Sequence, residues 1–215
     1  MDMTRITFWF DPISPFAYLA FEQLPQALEG LSVEVTYQPV LFAGLLKHWG
    51  QKGPAEIEPK RAWTFRHVQW LAHQQGTALD TPAQQPFNPL ALLRLLLACA
   101  PEGGTPNRFA CETVLRHIWQ GGVDANDPAR MAALSAQLAP RADPSGEPVK
   151  QALRTATDRA VSLGLFGVPT VEAEGKLFWG LDSLPMLRAF LQGDAWFDSP
   201  AWAREGAPRA GVERS

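Results

Sequence analysis

The stretch Arg5-Ile6-Thr7-Phe8-Trp9-Phe10-Asp11-Pro12-Ile13-Ser14-Pro15-Phe16-Ala17-Tyr18-Leu19-Ala20 changes its hydrophobic period once, and that change decides how the chain is read. Ile6, Phe8 and Phe10 alternate with Thr7 and Trp9, the period of two expected of a strand whose faces differ. Asp11-Pro12-Ile13 interrupts the alternation. Ser14 and Pro15 then stand as an N-cap and first helical residue would, and Phe16, Leu19, Ala20 and Leu24 follow at helical spacing. Ser14 therefore falls where a strand gives way to a helix, a place where backbone N–H groups and the helix dipole favour negative charge. On its own it is also an ordinary cap.

Outward from this stretch, Val33, Val35 and Tyr37 alternate again. The spacing suits a β-α-β unit with parallel strands and a right-handed crossover. From Phe42 to about residue 160 the chain shows helix signals without a strand. Lys60 to Gln75 reads as a polar helix bearing Trp63, Trp70 and Leu71, and further helices start at Asn88-Pro89, Thr105-Pro106, Asp127-Pro128 and Pro148. In the helix after Thr105-Pro106, residues Cys111, Val114, Leu115, Ile118 and Trp119 make one apolar stripe, which assigns Cys111 to the core. Strand character returns at Thr170–Ala173 and at Lys176–Trp179 around a Glu174-Gly175 turn. A last helix starts near Asp182 or Ser183 and carries Leu184, Leu187, Phe190 and Leu191.

The order β-α-β, helical block, α, β-β-α predicts an α/β, thioredoxin-like fold with a large all-helical domain inserted between its two halves. The expected boundaries are 1–42 and 160–194 for the thioredoxin-like domain and 43–159 for the insertion. Residues 195–215 are rich in Pro, Gly and Ala and are expected to form a partly disordered tail.

The 215 residues carry 19 Lys and Arg against 22 Asp and Glu, with no basic block. That balance argues against a nucleic-acid or membrane partner and for a small molecule. The longest apolar run, Leu90 to Ala100, is broken by Arg94 and is too short to span a bilayer, so a cytoplasmic location is expected. Cys99 and Cys111 form no C-x-x-C pair, which fits a reducing compartment, and with His48, His67, His73 and His117 they give no metal-ligand spacing.

Two segments, Phe10 to Ala20 and Phe166-Gly167-Val168-Pro169-Thr170, resemble those of the 2-hydroxychromene-2-carboxylate isomerases and the related kappa-class glutathione transferases. These are relatives of DsbA-like disulfide oxidoreductases in which serine occupies the nucleophile position. The resemblance runs over about residues 5 to 192, with further marks at Leu41 to Lys47, Gly53-Pro54 and Phe178 to Asp182. It implies glutathione as cofactor, with Ser14 the catalytic residue donating a hydrogen bond to the glutathione sulfur. Pro169, expected in cis, would turn the Val168 backbone toward the tripeptide. Trp179, Gly180, Leu181 and Asp182 would hold its γ-glutamyl end. The family commonly carries arginine after that aspartate, where this chain has Ser183.

The resemblance further implies an aromatic substrate in the cleft between the two domains, against Phe42, Trp49, Trp63 and Phe87, with Lys47 meeting its carboxylate. The family's lysine falls one position earlier, on Leu46, and other polar substrate contacts are replaced by Glu56 and Phe87. The implied reaction is reversible addition of glutathione thiolate to an unsaturated aromatic acid, rotation about the resulting single bond, and release of glutathione, in a homodimeric enzyme. Kappa-like glutathione transfer or peroxidase chemistry is the alternative, and a non-catalytic thioredoxin-like binding module a third. Dithiol exchange is not expected, since Ser14-Pro15-Phe16-Ala17 holds neither cysteine that it requires.

Overall fold

A computed structural model describes residues 3–205. Its sheet has the order β2-β1-β3-β4, formed by β1 (Thr4–Phe10), β2 (Val33–Pro39), β3 (Thr170–Ala173) and β4 (Lys176–Trp179). β1 runs parallel to β2 and antiparallel to β3, and β3 pairs antiparallel with β4. The chain is a mixed α/β, thioredoxin-like fold, and each strand lies within a residue or two of its expected position.

The period-2 pattern of β1 has the predicted consequence. Ile6, Phe8 and Phe10 enter the larger core with α1 (Pro15–Ala27) and α8 (Leu184–Leu191). Trp9 points to the opposite face, into a smaller core with Val40, Leu45, Ala156, Ala160, Leu165 and Val168 beneath α2 (Phe42–His48) and α7 (Glu147–Ser162). α1 contains Pro25, which has no N–H to donate back to the Phe21 carbonyl. Arg108 serves that carbonyl instead at 3.5 Å, while its guanidinium lies 4.2 Å over the Phe21 ring and donates to Tyr37 Oη at 3.1 Å.

Between β2 and α7 the chain is helical: α3 (Glu58–Gln75), α4 (Leu90–Ala98), α5 (Arg108–Trp119) and α6 (Pro128–Leu138) follow α2. Cys111 lies fully buried in the apolar stripe of α5, as expected. That helix starts later than Thr105-Pro106 suggested, because the Asn107 side chain accepts from the Ala110 N–H and is its cap. The expected domain boundary at residue 160 falls inside α7, which continues to Ser162.

The first part of the tail, expected to be partly disordered, is structured. Ala195–Asp198 form a short 3-10 turn capped by Asp194, and α9 (Pro200–Glu205) follows. Phe197 is buried against Phe178 and Phe190, and this apolar contact holds the 3-10 turn on the domain. Residues 206–215, for which disorder was also expected, lie outside the described residues. Among the described residues no helix is long and apolar enough to cross a membrane.

Candidate functional site

β1 and β3 are antiparallel neighbours with Trp9 opposite Thr170, so the end of one and the start of the other share one edge of the sheet. The Asp11–Ser14 loop therefore meets the Gly167–Pro169 loop, although Ser14 and Val168 are 154 positions apart. Ser14 caps α1: its Oγ accepts from the Ala17 N–H at 3.2 Å. Its hydroxyl donates to the Val168 carbonyl at 3.5 Å, the long limit of a hydrogen bond, and the side chain is buried.

Three regions of the helical block hold this loop in place. Trp119 at the end of α5 donates its Nε1–H to the Pro12 carbonyl at 2.9 Å. The Gln85 carboxamide donates to the Ile13 carbonyl, also at 2.9 Å. From within the loop, Asp11 accepts the Ile13 N–H on Oδ1 at 3.0 Å and the Phe42 N–H on Oδ2 at 2.9 Å, while its carbonyl accepts from the Ser14 N–H at 3.0 Å. Asp11 is fully buried, and burial pushes its carboxyl up from the ordinary 3.8 to about 7 against the opposing pull of the two amides. None of Asp11, Gln85 and Trp119 was singled out for the site in the sequence. An Asp-Pro pair reads as a strand terminator, and the α5 stripe reads as core.

The Val168-Pro169 peptide is cis, and the Pro169 carbonyl accepts from the Gly180 N–H at 2.9 Å. Gly180 has φ +93°, a conformation that suits glycine. Gly167 is fixed by crowding, since a Cβ there would stand 2.5 Å from Trp179 Nε1.

Beside these loops lies a cavity of about 710 Å3 between α1, α3 and α8. Val168, Pro169, Trp179, Gly180, Leu181 and Asp182, six of the residues expected at a glutathione site, line it together. Ser14, the seventh, does not line it and is joined to it only through the Val168 carbonyl. The walls also include Gln75, whose Oε1 is buried without a hydrogen-bond partner among the described residues, and Arg188, whose Nη1 donates to the Ala27 and Glu29 carbonyls at the end of α1. A mostly apolar pocket with an orphaned carboxamide oxygen, exposed Asp182 and a helix N-terminus at its edge is chemically compatible with a tripeptide.

The five expected substrate residues are not brought together in this cavity. Phe87 is buried in the larger core. Phe42 packs on the smaller core, and Trp49 is half-exposed and donates its Nε1–H to the Leu165 carbonyl at 2.8 Å, so both lie on the α2 side of the Gly167–Pro169 loop. Lys47 is exposed in the last turn of α2. Trp63 is exposed on α3, stacked with His67, which does line the cavity. The resemblance named these side chains, but nothing in the sequence says to which side of the sheet edge α2 packs.

The sequence profile of the DSBA-like thioredoxin domain matches residues 5–192. The chain belongs to this family. Among its DSBA-like relatives, the 2-hydroxychromene-2-carboxylate isomerase of Sphingobium xenophagum is 28% identical over 198 residues, spanning 88% of this chain and 99% of the relative. Glutathione S-transferase kappa 1 of Rattus norvegicus is 27% identical over 210 residues, spanning 87% and 90%. The solved structure of a 2-hydroxychromene-2-carboxylate isomerase superposes with a TM-score of 0.76 at 21% identity, covering 95% of this DSBA-like chain and all of the other, a likeness of fold. Ser14 and Ala17 stand at the start of α1, and both cysteines of the chain, Cys99 and Cys111, sit in the helical block.

Proposed function

We propose that this protein is a glutathione-dependent enzyme that isomerises an unsaturated aromatic metabolite, with Ser14 as its catalytic residue. The observation that carries the reading is the position of the Ser14 hydroxyl. It sits at the N-terminus of α1, next to the cis-proline loop, with its proton held only by a long contact to the Val168 carbonyl. A proton held so weakly can turn to a sulfur ligand. The positive end of α1 favours the anionic form of that ligand.

Glutathione bound here supplies a thiolate that adds reversibly to a conjugated double bond. The protein's part is to position it and to favour its charge. The Val168 backbone and Pro169 receive the cysteinyl segment, Trp179 to Asp182 receive the γ-glutamyl end, and Ser14 donates its hydroxyl proton toward the sulfur. A free thiol titrates near about 8.5, and lowering it to about 6.5 corresponds to roughly 2.7 kcal/mol of preferential stabilisation of the thiolate. Phe42 and Trp49, on the α2 side of the loop, are assigned to the aromatic substrate and Lys47 to its carboxylate.

The test is calorimetric titration of wild type and Ser14→Ala with glutathione, following the ultraviolet absorbance of the bound thiolate as pH is varied. The expected result is binding by both proteins, with the thiol titrating well below 8.5 only in wild type. Absence of glutathione binding by wild type would refute the reading. The similarity to kappa transferases supports a second reading, glutathione transfer. Net consumption of glutathione in turnover with electrophilic and with isomerisable acceptors separates the two.

A further inference from the structure

Asp11 is the most deeply buried carboxyl in the described part of the molecule, and no charged side chain pairs with it. Burying an isolated carboxyl is unfavourable, so its partners are informative. One oxygen closes a turn on the Ile13 N–H, immediately before Ser14. The other takes the Phe42 N–H at the start of α2, a helix whose own N-cap, Leu41, has no side-chain acceptor. Asp11 thus caps a helix of which it is not a part, and the same residue's carbonyl holds the Ser14 amide. The position of Ser14 is referenced to α2 through a single side chain.

We propose that Asp11 is a positioning residue for Ser14: by bridging the Ile13 and Phe42 amides it locks the β1–α1 loop to α2 and so aims the Ser14 hydroxyl. The inference rests on the reading that glutathione occupies the adjoining cavity. Asp11 does not touch the ligand, because its carboxylate is wholly enclosed and both of its oxygens face backbone amides. Two acceptors on one side chain are what the arrangement needs. Asparagine offers one acceptor and sets an N–H against the second amide, so Asp11→Asn must open one of the two bonds.

The consequence is a separation of binding from activation. Tripeptide contacts come from Val168 to Asp182 and do not depend on Asp11, whereas the hydrogen bond to sulfur does. The experiment compares wild type and Asp11→Asn in two titrations, one with glutathione read by thiolate absorbance and one with S-methylglutathione, which has no thiol to ionise. The expected result is unchanged affinity for S-methylglutathione, with the bound glutathione thiol titrating about one pH unit higher in Asp11→Asn, a tenfold smaller thiolate fraction at low pH.

Phe42→Pro is the second variant, and it removes the other end of the bridge at a first helical position where proline is accepted. It is expected to raise the thiol pKa in the same direction, and combining it with Asp11→Asn is expected to give less than the sum. An unchanged thiol pKa in Asp11→Asn overturns the proposal. So does equal loss of affinity for both ligands, which would make Asp11 a support of the fold only. If Asp11→Asn does not fold, Phe42→Pro decides alone, and an unchanged thiol pKa there overturns the proposal. Failure of wild type to bind either ligand is a different result and refutes the glutathione reading itself.

Discussion

Replacing Trp119 with phenylalanine isolates the contribution of the helical block to the site. Trp119 is fully buried, it stacks with Tyr18 at 6.4 Å between ring centroids, and its N–H is the hydrogen-bond partner of the Pro12 carbonyl at 2.9 Å. Phenylalanine keeps the apolar contact and the aromatic face but has no donor, so it leaves a carbonyl of the Ser14 loop unpaired away from water. An orphaned buried acceptor costs about 1–3 kcal/mol. The void left by the smaller ring adds about 1 kcal/mol, since packed cores relax only partly around lost volume. The expected total is therefore about 3 kcal/mol, equivalent to a fall in Tm of roughly 6–12 °C for a chain of this size. Urea denaturation followed by far-ultraviolet circular dichroism measures it, with an unchanged slope against denaturant certifying that the same surface unfolds. A loss below about 0.5 kcal/mol, the range of ordinary surface substitutions, would refute the claim that this bond anchors the loop.

Three further outcomes are expected. Because the folded Asp11 carboxyl holds its proton up to about 7 whereas the unfolded one releases it near 3.8, folding is favoured below that window and stability declines as pH rises through it. The stability difference between wild type and Asp11→Asn should thus change by on the order of 4 kcal/mol between pH 3.5 and pH 7.5, a pH-independent difference being the contrary result. Gly167→Ala would drive a methyl into the Trp179 indole, 2.5 Å away, and is expected to weaken glutathione binding by tenfold or more, read by calorimetry. Burial pushes the Cys111 thiol far up, so in native protein it should resist iodoacetamide at pH 8 and react only after unfolding, as peptide mass analysis would report.

Much of the fold was legible because it is written in local periods. The alternation of Ile6, Phe8 and Phe10 sends those rings to one face and Trp9 to the other, and the structure separates them into two cores accordingly. Ser14-Pro15 and Asp127-Pro128 announce helices whose caps lie where expected. Thr105-Pro106 misled because two cap-like residues compete within three positions and Asn107, the better acceptor, is the one used. Composition marks residues 195–215 as a loop-like tail but does not carry that Phe197 finds an apolar surface made by residues far away in sequence. Of the candidate site residues, Val168, Pro169 and Trp179 to Asp182 line one cavity, and the β1–β3 register sets Ser14 against the Val168 carbonyl beside them. Asp11, Gln85 and Trp119 act through pairings of their side chains with distant backbone, and no periodicity encodes which carbonyl a buried indole will meet.

The same register has a kinetic consequence. Ser14 cannot meet Val168 until a segment of 154 positions has closed on itself. For a featureless loop of that length, closure costs about 4.5 kcal/mol of chain entropy. The intervening segment is far from featureless. Its helices are rich in local contacts, which form early, and α2 packs on α7, so the folded block brings its own two ends together. Once it has formed, β3 is delivered to β1 across a short effective loop. Substitutions in the α2–α7 contact are accordingly expected to slow folding, and those in β3 to speed unfolding, so that the cleft is the last part of the molecule to be built and the first to be lost.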